Sequence, residues 1–328
     1  MEISMGLSKG VRTAALGLAF GVSAVAAQAQ DYSDYPTSQI RMIIPYSPGG
    51  ATDIIFRLFA NEAEEHLGVP IVPINMAGAS ATLGSREVRD AAPDGYTLLA
   101  SHEVIAAARI AGVVDYSFDA FEPVSLITQT PNMATINSGL GIETLEEFKA
   151  HLEENPGSLT WGITPGSTSH FFAAMMLESL GLEQTAVRFI DYEGTGDAIT
   201  AVQRGEIAGT MTNYASARSQ VEEGIFVPIA VAHDERLPQL PDVPTFNELG
   251  FDMVHSTSRG FFAPAGTPEP IIARLAEAFE AAARSEALQQ RIEDDLGSIV
   301  RFLPPEDQRA FFQDAEERLL TLSDLLQM

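Results

Sequence analysis

The chain contains no cysteine in 328 residues. That excludes disulfides, thiol catalysis and cysteine-based zinc sites. Basic residues are scarce as well: 19 Lys and Arg stand against 45 Asp and Glu, a net charge of −26 at pH 7. A surface this acidic repels nucleic acid and anionic membranes, so neither is expected as a partner. It does not by itself favour a cationic ligand, because a local pocket can oppose the global field. A solvated acidic face, its self-repulsion screened by salt, accounts for the excess.

Long apolar runs are missing too, with one exception near the start. AALGLAFGVSAVAA (residues 14–27) follows Lys9 and Arg12 and ends at Ala27-Gln28-Ala29. This is the basic region, apolar core and small-residue site of a cleavable secretory signal. It is shorter than the roughly 20 apolar residues that a membrane span needs. The expectation is a signal peptide over 1–29, cleavage near Ala29 and a product exported to the periplasm. Losing 1–29 removes Glu2, Lys9 and Arg12, so 19 basic and 45 acidic residues become 17 and 44, a net −27. The remaining length of about 300 residues exceeds what one core comfortably supports, so two domains are expected.

Catalytic signatures are absent. Of the six histidines, His102 is followed by Glu103, but no second histidine completes H-E-x-x-H. There is no P-loop, and SPGG and YEGTG are too short for G-x-G-x-x-G. No G-x-S-x-G elbow frames the serines beside His170, and an N-capping hydroxyl explains Thr168 or Ser169 more cheaply than a nucleophile does. No cofactor and no metal are expected.

What is present is one joint, repeated. In IPYSPGGATD (residues 44–53) a β-like run stops at Pro48, Gly49 and Gly50, and a helical pattern begins with an acid. YTLLA leads through Ser101-His102-Glu103 into VIAAARIAG, LTWGI through TPGSTS into HFFAAMMLESLG, and VRFI through DYEGTG into another helix. Apolar strands alternating with helices imply mainly parallel sheets. Such sheets take ligands beyond the carboxyl ends of their strands. There the helix N-termini carry unpaired N–H groups and partial positive charge, and small residues admit an anion. An anionic or oxygen-rich ligand is therefore expected at the joints.

In order, YPTSQIRMIIPYSPGGATD, NMAGASATLG, AAPDGYTLL, GITPGSTSH, YEGTGDAITAVQRGEI, LPDVPTFNELGF and RGFFAPAGTP cover essentially the whole exported chain. The series resembles the substrate-binding proteins of tripartite tricarboxylate transporters, the Bug family. The resemblance implies an α/β, two-lobed periplasmic-binding-protein (Venus-flytrap) fold, each lobe a mainly parallel sheet flanked by helices. It places lobe 1 at 30–128 plus about 256–290, lobe 2 at 129–255, and C-terminal elements over 291–328 packing across both. It implies a monomeric receptor, not an enzyme. The ligand would be a small organic carboxylate (di- or tricarboxylate, or aromatic acid), handed to the membrane subunits of a tripartite tricarboxylate transporter. An exported hydrolase or isomerase using serine and histidine near 167–170, and an orphan receptor feeding a sensor, stay open as alternatives.

By the same resemblance, Tyr46, Pro48, Gly49, Gly50, Gly78, Ala79, Ser80, Ser101 and His102 line the first lobe's jaw. Gly166, Ser167, Thr168, Ser169, His170 and Thr195 line the second. The chain departs from the family pattern at Met76-Ala77, where Arg-Pro is common, and at Ser80-Ala81, where glycines are. Thr212 replaces a common aspartate, and Ser258-Arg259 replaces an aromatic pair. Losing an acid and gaining Arg259 both favour an anionic ligand. Asp53 suits the first turn of a helix through the dipole; alternatively it accepts a hydrogen bond from a ligand or a bridging water.

Overall fold

The computed structural model describes residues 32–323; the expected signal peptide lies outside them. The first part of the chain runs β1 (Ile40–Ile44), α1 (Ala51–Leu67), β2 (Ile71–Asn75), α2 (Thr82–Arg89), β3 (Thr97–Ser101), α3 (Val104–Ile110) and β4 (Phe121–Pro131). Next come β5 (Met133–Asn137), α4 (Leu145–Glu154), β6 (Thr160–Ile163), α5 (Thr168–Ser179), β7 (Arg188–Asp191), α6 (Thr195–Gln203), β8 (Gly209–Thr212), α7 (Tyr214–Glu222) and β9 (Phe226–Val231). The chain then returns through β10 (Ser256–Pro264), α8 (Glu269–Ala283), α9 (Glu286–Gln290), β11 (Ile299–Leu303) and α10 (Pro305–Ser323).

Two sheets result, ordered β11-β4-β10-β3-β1-β2 and β7-β6-β8-β5-β9. Both are mixed rather than mainly parallel, which corrects the sequence expectation. β1 pairs parallel with β2 and β3, and β6 with β7 and β8. β10 runs antiparallel to β3 and β4, β11 to β4, and β5 to β8 and β9. The cause of the miss is burial on both faces. Nine of the eleven β4 residues are buried, so no in–out alternation marks it as antiparallel. β11, expected outside the lobes, joins the edge of the first sheet.

Each sheet buries its own core. Leu99, Phe121, Phe262 and Phe312 pack in the first half, and Phe148, Trp161, Phe172 and Phe246 in the second. α10 lies on β4 and α3 and reaches α5, so it touches both halves. The chain crosses between the sheets at Asn132 and again before β10. Backbone bonds tie the crossings together: Asn132 N–H to His255 O (3.1 Å), Ala232 N–H to Asn132 O and His255 N–H to Ala232 O (both 2.8 Å).

Close packing at the second sheet has a testable consequence. A Cβ on Gly209 would sit 2.6 Å from the Trp161 ring and 2.7 Å from Thr135 O. Gly209→Ala should lower stability by about 2 kcal/mol, in the range of core overpacking, read as a shifted urea midpoint at unchanged slope.

Candidate functional site

Between the two sheets lies a cavity of about 420 Å³. The ends of the strands and the helices that follow them build it. From the first sheet come Tyr46, Ser47 and Gly50 of the β1–α1 loop, Ala51, Thr52 and Asp53 at the start of α1, and His102 after β3. β10 adds Thr257 and Arg259. Facing them are Thr168 of α5, Thr195, Gly196 and Ile199 of α6, Met211 and Thr212 of β8, Asn213 before α7 and Ser216 within it.

Helix N-termini therefore converge here from both sides. α1 and α6 begin after Gly50 and Gly194, neither with a side-chain cap, so their first N–H groups are open to a ligand. Glycine before or at the start of the helix keeps the approach clear, for a Cβ at Gly50, Gly194 or Gly196 would meet nothing within 4 Å. α7 has a capping box between Asn213 and Ser216. α5 is capped by Ser167, whose hydroxyl accepts from Ser169 N–H. The capping hydroxyl is thus one residue earlier than the two the sequence suggested.

Arg259 sets the electrostatics. It is 2% exposed, yet it lines the cavity. Nε donates to Thr52 Oγ1 (3.0 Å), and Nη1 to Thr130 Oγ1 (2.5 Å) and Thr257 O (3.3 Å). Nη2 makes no hydrogen bond among the described residues, and no carboxylate there lies within ion-pair distance of the guanidinium. Desolvation pulls its pKa down to about 10, still far above neutrality, so it stays charged. A cation buried with hydroxyl and carbonyl acceptors alone is a site for an anion.

The acid in the cavity wall is already engaged. Asp53, 3% exposed, accepts from Gly49 N–H (2.9 Å), Arg57 Nε (2.9 Å) and Asn75 Nδ2 (2.8 Å). Burial raises its pKa, but these hydrogen bonds outweigh that and hold it below the usual value. The carboxylate, at the first turn of α1 as the dipole favours, is thus engaged by three protein donors while it lines the cavity. Asn75 also donates to Tyr46 O (3.0 Å), so the network braces the whole 46–50 loop.

His102 is neutral. Desolvation, and secondarily the charge of Arg259, pushes its pKa down to about 3. Its Nδ1 accepts the Val104 N–H (3.4 Å), leaving the proton on Nε2 as a donor. The ring stacks on Tyr46 (centroids 4.7 Å apart, 5° between planes), and the Tyr46 hydroxyl meets Ser101 Oγ at 3.0 Å.

Of the residues singled out in the sequence, Tyr46, Gly50, Asp53, His102, Thr168, Thr195, Thr212 and Arg259 line the cavity. Pro48, Gly49, Gly78, Ala79, Ser80, Ser101, Gly166, Ser167, Ser169 and His170 do not. Gly78, Ala79 and Ser80 form an exposed turn, all with positive φ. Ser169 Oγ binds Thr164 N–H (2.9 Å) and Ser167 Oγ (2.9 Å). His170 Nδ1 accepts Gly166 N–H (3.3 Å) while its ring meets Phe189 edge-on, so no serine–histidine pair forms. Thr257 and Ser216 line the cavity unannounced by any motif, and Thr52 and Ile199 line it from within quoted motifs that do not single them out. Asn213 lines it as well. Thr212 Oγ1 bonds Thr135 Oγ1 (2.6 Å), a neutral contact where an aspartate would add charge.

Comparisons with known proteins agree with this architecture. The sequence model of the tripartite tricarboxylate transporter family receptor matches residues 55–321. The UPF0065 protein in the gbd 5′ region of Cupriavidus necator is 34% identical over 278 residues, covering 82% of this chain and 80% of that protein. MatC from Rhodopseudomonas palustris, solved with bound malate, is 30% identical with a TM-score of 0.76, over 88% of this chain and all (100%) of that one. The periplasmic binding protein BugD is 26% identical with a TM-score of 0.73, over 89% of this chain and 98% of its own. The chain thus belongs to the tripartite tricarboxylate transporter receptor family, whose members are solute-binding receptors and not enzymes.

Proposed function

We propose that this receptor works in the periplasm, capturing a small organic acid with two or three carboxylates for the membrane subunits of a tripartite tricarboxylate transporter. The observation that carries the reading is Arg259: buried, charged, lining the cavity and without a carboxylate partner among the described residues. One ligand carboxylate would pair with its Nη2 group. A second would meet the N–H groups opening α6, with the Thr168 and Thr195 hydroxyls beside it. Malate bound to the related MatC is a ligand of this size and charge. Residues 129–255 would act as one lobe, closing by bending at Asn132 and His255 on the lobe built from 30–128 and 256–290. The C-terminal elements would pack across both, and the receptor would act as a monomer. Closure of this kind is what a membrane partner would detect.

The test is a thermal-shift and calorimetric panel on the exported chain at fixed salt, with succinate, malate, citrate, glutamate, malamide and glucose. At 100-fold its dissociation constant, a ligand selective for the native state stabilises it by about 2.7 kcal/mol. Di- or tricarboxylates should raise the melting temperature by several degrees, and malamide and glucose should not. Malamide binding as well as malate would overturn the anion reading.

A further inference from the structure

One buried carboxylate lies outside the lining of the ligand cavity. Glu103 immediately precedes α3 and is 8% exposed. Both its oxygens accept the Ser258 N–H, at 2.9 and 3.0 Å. Ser258 and Arg259 are consecutive on β10, so their side chains leave opposite faces of the strand. Arg259 lines the ligand cavity, while Glu103 and Ser258 line a second cavity, of about 430 Å³, which shares Thr168 with the first. A buried anion and a buried cation thus flank one strand. They lie beyond ion-pair distance but within each other's field.

Among the described residues no other cation offsets Glu103 at close range. His102 Nδ1 is 3.8 Å away, but it already accepts the Val104 N–H and its ring is neutral. Tyr46, from the β1–α1 loop, is a neutral phenol raised above its ordinary pKa by burial. Arg301 of β11, Arg318 of α10, Asp314 of α10 and Asp234 beyond β9 also line the second cavity, and Arg301 Nη1 donates to Gln129 Oε1 (2.5 Å). The cation that acts on Glu103 is Arg259. His233, beside Asp234, also lines that cavity, and His255 in the crossing is held neutral, its pKa pushed down to about 4 by desolvation. The ionised state of Glu103 therefore leans on Arg259, the group an anionic ligand would engage.

We propose that Glu103 is a proton-binding site coupled to ligand capture: an organic anion seated on Arg259 drives one solvent proton onto the Glu103 carboxylate. The proposal rests on the anion reading of the ligand cavity. The balance is simple. A ligand carboxylate answers the guanidinium's charge and adds a negative charge nearby, and a buried carboxylate in low dielectric then relieves the repulsion by binding a proton. One O–H bond forms, the proton comes from water or buffer, and nothing is oxidised or reduced. Receptor, anion and proton form one complex, less negative than the anion complex alone.

Burial has already pushed the Glu103 pKa up to about 7, against the opposing Ser258 hydrogen bonds and the Arg259 field. At pH 8 the free receptor is therefore mostly ionised at Glu103, and binding takes up a proton. At pH 5.5 the group is protonated before the ligand arrives, and uptake vanishes. Affinity rises as pH falls from 8 to 6, by about five- to tenfold if binding raises the pKa by one to two units.

Calorimetry on the exported chain with malate and with citrate, in buffers of different ionisation enthalpy, reads the protons directly. At pH 8, where both acids are fully ionised, the expected uptake is about half a proton or more per ligand; at pH 5.5 the receptor takes up none, and only protons released by the acid itself remain. Glu103→Gln should abolish the uptake and flatten the pH dependence. Binding at pH 8 with heat independent of the buffer would overturn the coupling while leaving the anion site standing. Undiminished uptake in Glu103→Gln would overturn it too. No binding of either acid in any buffer would overturn the anion reading and the coupling with it.

Discussion

Replacing Arg259 by methionine is expected to weaken dicarboxylate binding by about 30-fold to several-thousand-fold, the loss of about 2–5 kcal/mol that follows truncation of one partner in a buried charge pair. The fold should survive, because methionine approximates the arginine stem in length and a lone buried cation is itself costly to hold. What is lost locally is a donor to Thr52 Oγ1, Thr130 Oγ1 and Thr257 O. Thr130 keeps a partner in Ser298 Oγ at 2.6 Å. Glu103, deprived of the cation that favours its ionised form, should hold its proton to still higher pH. Arg259→Lys should fall between, since an ammonium keeps the charge but not the planar fork that reaches several acceptors at once. Calorimetry with malate and urea unfolding of each variant separate binding from folding. Wild-type affinity in the methionine variant would remove the basis of the proposed function.

Arg259 is legible in the sequence only as a departure from its family's pattern; the pocket around it is not. The contact between Arg259 Nε and Thr52 Oγ1 joins residues 207 apart, and no local signal marks Thr52 as more than the second residue of a helix. The joints themselves are legible because their physics is local: a helix that starts at Gly50 or Gly194 must leave N–H groups uncapped wherever the strand has just ended. Local physics also explains where the reading overreaches. GSTSH looks like a row of ligand donors, but Ser167 and Ser169 satisfy each other and the start of α5, leaving Thr168 alone on the cavity. The run Gly78-Ala79-Ser80 matches a family loop by position, yet its left-handed backbone turns outward, exposed. Strand direction was hidden for a related reason. Alternation reports direction only where one face meets water, and β3 and most of β4 have no such face.

Asp53→Ala should cost about 1–3 kcal/mol of stability, the cost of leaving part-buried donors without their acceptor, and should weaken ligand binding as a consequence. The substitution strips the acceptor from Arg57 Nε, Asn75 Nδ2 and Gly49 N–H together. Gly49 sits at φ +87°, a conformation that glycine tolerates and that its N–H bond to Asp53 helps select. With that bond gone, the 46–50 loop loses its tie to α1, and Tyr46, Ser47 and Gly50 lose their fixed places in the cavity wall. The pH dependence carries the same signature. The carboxyl pKa is lower in the folded chain than its ordinary value, so its stabilisation is complete above the unfolded pKa near 3.8 and fades as pH falls through the lower folded value. Wild type and Asp53→Ala should therefore converge in stability in strong acid and diverge above about pH 4. A direct ligand contact would show the opposite pattern. Asp53→Ala would then change affinity at once, while the urea midpoint of the free protein would stay in place.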